Sequence, residues 1–114
     1  MFGSTVLPFA AMEEGEKCTP TYDLERVKSL VRTGRYSPTS DVLTSLIVLK
    51  LDEDDLVACI LGLEPAVFYK SMPSKKMIGT WQDVYRPTYQ GRRLYVKVRI
   101  SDDARTIVIQ LKRR

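Results

Sequence analysis

A chain of 114 residues, 44% hydrophobic and 28% charged, suits one soluble domain with a single core, and no apolar run approaches the roughly 20 residues that cross a bilayer. It contains no histidine, which excludes catalytic schemes built on Ser-His, Cys-His or paired histidines. The net charge of +4 conceals a division: residues 1–65 carry 6 basic against 11 acidic side chains, a balance of −5, whereas residues 66–114 carry 12 against 3, a balance of +9. A basic half beside an acidic one points to a polyanion on one face, and to self-neutralisation or a basic partner on the other.

Cys18 and Cys59 lie far apart with no CxxC spacing, so a reducing, cytoplasmic setting is expected. Two thiols without histidine do not complete a zinc site, and no metal or other cofactor is expected.

Residues 1–18 are expected to stand apart as a tail. The first eleven have no positive charge and only a broken apolar run, so the segment does not read as a signal peptide. It is either a flexible extension, with Met12 as an alternative start, or an added strand or partner-binding arm. Residues 19–114 form the expected single domain.

From Thr21 to Thr33, Leu24, Val27, Leu30 and Val31 make one apolar stripe, the period of an amphipathic helix. Thr21 or Asp23 caps its start, and Gly34 follows its end. Ser37-Pro38-Thr39-Ser40 signals a second helix, with Pro38 in or near its first turn, running through Val42, Leu43, Leu46, Ile47 and Leu49; its Ile47-Val48-Leu49 end also reads as strand. Asp52-Glu53-Asp54-Asp55 lacks the alternating ligands and central glycine of a calcium loop, and reads instead as the cap and acidic first turn of a third helix ending near Gly62.

Four β-branched and aromatic runs follow: Phe68–Met72, Trp81–Pro87, Leu94–Ile100 and Thr106–Lys112. The short links between them contain Pro73, Gly79, Pro87, Gly91, Asp102 and Asp103, which suit antiparallel hairpins. The expected fold is α+β, three N-terminal helices packed on a four-stranded, mainly antiparallel sheet.

Alternation divides each run between faces. In the third, Leu94, Val96, Val98 and Ile100 form an apolar row, opposite Tyr95, Lys97 and Arg99. In the fourth, Ile107, Ile109 and Leu111 form the row opposite Thr106, Val108, Gln110 and Lys112. Gln82 and Arg86 share parity in the second run, while the first is ambiguous, with Phe68, Lys70 and Met72 set against Val67, Tyr69 and Ser71. A basic, tyrosine-bearing sheet face results.

The words Phe68-Tyr69-Lys70-Ser71-Met72, Trp81-Gln82-Asp83-Val84-Tyr85-Arg86-Pro87 and Tyr95-Val96-Lys97 closely resemble the MqsR family, the motility quorum-sensing regulator toxins of type II toxin-antitoxin pairs. The resemblance extends through Thr19-Pro20, Leu24 to Gly34 and Ile60-Leu61-Gly62-Leu63, so it covers roughly residues 19–112. It implies the compact fold of RelE-like ribonuclease toxins, an mRNA interferase activity that inhibits translation, commonly at GCU-like sites, and neutralisation by an MqsA-like antitoxin that also binds DNA. It also implies a catalytic set of Lys70, Gln82, Tyr95 and Lys112, the last resting on strand alignment that leaves Arg113 and Arg114 as alternatives.

RNA can be cut without metal or histidine when the ribose 2′-OH attacks the adjacent phosphorus, leaving a 2′,3′-cyclic phosphate and a 5′-OH. Tyr95 is the candidate base or proton shuttle, on the expectation that Lys70 and Lys112 favour its tyrosinate. Either lysine, crowded by cations, is also a candidate for proton exchange. Gln82 would orient a ribose or phosphate oxygen, while Arg86, Lys97, Lys75 and Lys76 are candidate RNA contacts. A second reading is a regulatory module that binds RNA or DNA on the same face without turnover. Salt-sensitive RNA binding without cleavage products distinguishes it.

Overall fold

The computed structural model describes residues 15–114. Helix α1 spans Leu24–Arg32, strand β1 Tyr36–Pro38, α2 Ser40–Leu49 and α3 Glu53–Leu61; after a short 3₁₀ turn come β2 Phe68–Pro73, β3 Trp81–Tyr85, β4 Thr88–Tyr89, β5 Arg92–Ile100 and β6 Thr106–Arg113. No helix among the described residues is long and apolar enough to cross a membrane.

The helix ends follow local chemistry. Asp23, rather than Thr21, caps α1 by accepting the Arg26 N–H at 3.0 Å, and Gly34 adopts the left-handed φ of +81° just beyond the helix. Thr39 caps α2, which continues as helix through Ile47, Val48 and Leu49. The acidic run is a capping box: Asp55 N–H donates to the Asp52 carboxylate at 2.9 Å, and Asp52 N–H donates to Asp55 at 3.0 Å. The Tyr89 hydroxyl also donates to Asp55, at 2.8 Å, tying the helix layer to β4.

Four antiparallel strands and three consecutive helices are not the whole architecture. The sheet is mixed and has six strands in the order β1-β6-β5-β3-β2, with β4 paired to β5. Strand β1 lies between α1 and α2 and runs parallel to β6, pairing Tyr36 with Thr106 and Pro38 with Val108. Pro38 therefore ends an edge strand instead of opening α2, a position where its missing N–H costs no ladder bond. Three residues beside a helix-start signal carry no periodicity that would identify them as strand.

The helices cover one sheet face. Val27 and Val31 of α1, Val42 and Leu46 of α2, and Leu56 and Ile60 of α3 pack with Tyr85, Leu94, Val96, Val98, Val108 and Leu111. The expected β5 row is buried through Val98, with Ile100 only partly so. Parity in β6 differs from the expectation: Thr106 and Val108 are buried, while Ile107 and Ile109 are not. The cause is a bulge, because Lys97 pairs with Gln110 but Val98 pairs with Val108, leaving Ile109 as the extra residue. The bulge restores the alternation that turns Leu111 inward and Lys112 outward.

A second bulge settles β2. Phe68 pairs with Tyr85 and Lys70 with Val84, so Tyr69 is extra; Phe68 then packs edge-on to Tyr85, ring centroids 5.4 Å apart, while Ser71 is buried beside Asp83. The expected tail falls partly within the described residues. There, Lys17 forms an antiparallel bridge with Ser71 on the outer edge of β2, with bonds of 2.9 and 2.8 Å.

Candidate active site

The face away from the helices collects the candidate residues. One cross-strand row runs Lys70, Val84, Lys97, Gln110, and an adjacent pair joins Tyr95 to Lys112. Val84, flanked by Lys70 and Lys97, has no exposed surface; lysine stems cover apolar neighbours while their ammonium groups stay at the rim. Beside this row is an open cleft of about 430 Å³, lined by Gln82, Lys97, Lys112, Lys75 and Lys76 together with Asp41 and Ser45 of α2. Lys70, Tyr95 and Arg86 do not line it and extend the face beyond its rim.

The structure thus brings Lys70, Gln82, Tyr95 and Lys112 to one face from four strands. Lys112 is the C-terminal cation of the cluster, its Nζ lying over the Tyr95 ring at 4.8 Å from the centroid. Arg114 instead donates to the carbonyls of Leu94 and Arg86, both at 3.1 Å. Lys75 and Lys76 sit on an exposed loop where the Ser74 hydroxyl accepts the Lys76 and Met77 N–H groups at 3.2 and 3.0 Å.

The titrating groups separate by environment. Burial raises the Tyr95 phenol above its ordinary value; Lys70 and Arg86 pull it down, Tyr69 and Glu16 push it up, and the net shift is upward. The expectation that cations favour tyrosinate is not met. Burial lowers the Lys70 ammonium, but the hydrogen bond and charge of Glu16, joined by Tyr95 and Tyr69, together outweigh it and leave Lys70 raised. Lys97 moves the other way, lowered first by burial and then by Lys112, Lys70 and Lys75.

Two neighbours were not identified from sequence. The Tyr69 ring has Arg86 4.5 Å and Lys70 5.3 Å from its centroid, on the β2 bulge, a position alternation does not reveal. Glu16 reaches Lys70 at 2.7 Å from a segment read as a tail.

Asp83, in the middle of the Trp-Gln-Asp-Val-Tyr-Arg-Pro word, faces away from this site. It is fully buried, accepting the Thr21 N–H on both oxygens at 3.0 Å and the Tyr22 N–H at 2.8 Å. Its carboxylate anchors the chain entering α1 to β3, and so holds the scaffold behind Gln82. Among the described residues, no group of three or more His, Cys, Asp or Glu is placed to hold a metal ion.

Residues 19–113 match the family described as motility quorum-sensing regulator, toxin of MqsA. The chain is also 39% identical to the mRNA interferase toxin MqsR of Escherichia coli (strain K12) over 88 residues, which cover 77% of this chain and 90% of that relative. With the family's extent spanning every strand that builds the basic face, the chain belongs to the MqsR toxin family.

Proposed function

We propose that the protein is an mRNA interferase, an endoribonuclease that cleaves single-stranded mRNA and is held in check by an MqsA-like antitoxin. The observation that carries this reading is the convergence of Lys70, Gln82, Tyr95, Lys97 and Lys112 on one face, in a chain whose relative is named for that activity.

The lowered Lys97 amine takes the proton from the ribose 2′-OH as the oxygen bonds to phosphorus. The raised Tyr95 phenol gives its proton to the departing 5′-oxygen as the P–O5′ bond breaks. The products are a 2′,3′-cyclic phosphate and a 5′-hydroxyl. Lys70, fixed as a cation, and Lys112 stabilise the charge on the non-bridging oxygens in the transition state. Gln82, at the cleft wall, donates to a ribose or phosphate oxygen, while Lys75 and Lys76 at the cleft and Arg86 beyond its rim, over the Tyr69 ring, hold flanking phosphates. Tyr69, between Lys70 and Arg86, presents a ring for an unstacked base.

The assignment has a definite pH signature. The rate rises as Lys97 loses its proton below the ordinary lysine value, and falls as Tyr95 ionises above the ordinary tyrosine value. A kcat–pH profile on a defined single-stranded RNA is expected to peak on the alkaline side with no step near 6.5, and Lys97→Met is expected to remove the rising limb. A wild-type profile that rises and saturates through pH 6 contradicts it. RNA binding that weakens with salt, with no cleavage at any pH, assigns the face to a regulatory module instead.

A further inference from the structure

Glu16 lies outside the 19–113 family match, yet its carboxylate makes an ion pair with Lys70, Oε2 standing 2.7 Å from Nζ. The contact is enclosed, with the Glu16 side chain 3% exposed and the Lys70 side chain 14% exposed. Such a pair is costly to desolvate and is retained where geometry holds both ions in place.

The backbone supplies that geometry. Lys17 bridges to Ser71 on the free edge of β2, its ammonium rests 4.3 Å from the Trp81 ring centroid, and the Thr21 hydroxyl meets the Ser71 hydroxyl at 2.7 Å. Next come the Thr21 and Tyr22 N–H groups on Asp83. Lys17, opposite Ser71, turns toward the helix-covered side with Trp81. By alternation, Glu16 turns to the other side, where Lys70 lies.

We propose that Glu16 is a positioning residue of the nuclease site, holding the Lys70 ammonium charged and in place beside Tyr95, so that residues 15–18 belong to the working domain. The proposal rests on the nuclease reading of this face. Lys70 also faces Tyr69 on its own strand and Tyr95 and Lys97 on β5, and Arg86, beyond β3, lies over the same Tyr69 ring. Tyr95 faces Lys70, Tyr69, Glu16 and Arg86, with Lys112 over its ring. Among the described residues, Glu16 is the carboxylate in both sets. It supports the charge of Lys70 and delays ionisation of Tyr95, so its removal acts on both in the same direction.

The test compares full-length wild type, Glu16→Gln, Glu16→Asp, Lys70→Ala and the Glu16→Gln/Lys70→Ala double variant, each verified as folded by thermal melting, on one defined single-stranded RNA. Glu16→Gln is nearly isosteric and leaves the Lys17–Ser71 backbone bridge in place. It is expected to lower kcat about 10-fold without raising KM, and to move the alkaline fall of the profile to lower pH. Glu16→Asp is expected to keep that limb near its wild-type position. In the Lys70→Ala background, Glu16→Gln is expected to add little further loss, because it acts through Lys70. A Glu16→Gln enzyme with wild-type kcat and an unmoved limb overturns the proposal, as does full additivity with Lys70→Ala. Either result leaves the nuclease reading standing if Lys70→Ala alone is impaired. A Lys70→Ala enzyme as active as wild type overturns the proposal and the role of Lys70, whereas a wild type that binds this RNA without cleaving it overturns the nuclease reading.

Discussion

Lys70→Ala is expected to reduce kcat for RNA cleavage by about 100- to 1000-fold, the range observed when one preorganised donor to a developing negative charge is removed. The ammonium is placed before substrate arrives. The β2 bulge turns it to the open face, Val84 packs beneath its stem, and Glu16 holds it at 2.7 Å. Its pKa is raised above the ordinary lysine value while that of Lys97 is lowered below it, so of the two Lys70 holds its charge to the higher pH. Alanine also deprives the enclosed Glu16 carboxylate of this partner, so the melting temperature should fall as well. Lys70→Arg retains a cation but changes its shape, and is expected to recover activity only partly. Steady-state kinetics checks the prediction, and a loss under 5-fold contradicts the role of Lys70 as the fixed cation.

Asp83→Ala is expected to destabilise the fold by about 3 kcal/mol, because two backbone N–H groups lose a buried carboxylate acceptor and no water replaces it readily. Urea denaturation should show a lower midpoint with an unchanged slope. Asp83→Asn, which keeps one acceptor oxygen, should lie between. A change below about 0.5 kcal/mol would contradict the anchoring role. Asp83 and Gln82 are adjacent in a single sequence word, but the strand turns one to the scaffold and the other to the cleft.

The three helices and four long strands were legible because their periods are long enough to recognise, and the Leu94–Val98 row placed Tyr95 and Lys97 on the open face correctly. Short β1 and β4 were hidden, one by a proline beside a helix cap and the other by a turn at Gln90-Gly91. Strict alternation misassigned Thr106, Ile107, Val108 and Ile109 because each bulge reverses parity, and bulges at Tyr69 and Ile109 carry no signature in residue type. The same bulges bring Lys70 and Lys112 to the site. The resemblance named Lys70, Gln82, Tyr95 and Lys112, and the geometry gathers them; tyrosinate is nevertheless not favoured, since burial outweighs Lys70 and Arg86 at Tyr95. Glu16 was unreadable because an isolated bridge of one residue pair has no period at all.

The central claim, cleavage by 2′-oxygen attack with Tyr95 supplying the leaving-group proton, is tested most directly by the ends of the cut RNA. Purified wild type and Tyr95→Phe are incubated with one defined single-stranded RNA and the new termini are analysed chemically. Wild type is expected to leave a 2′,3′-cyclic phosphate and a 5′-hydroxyl, and Tyr95→Phe to lose about 100-fold in kcat while producing the same ends. A 3′-hydroxyl with a 5′-phosphate, or a Tyr95→Phe enzyme as fast as wild type, would contradict the account.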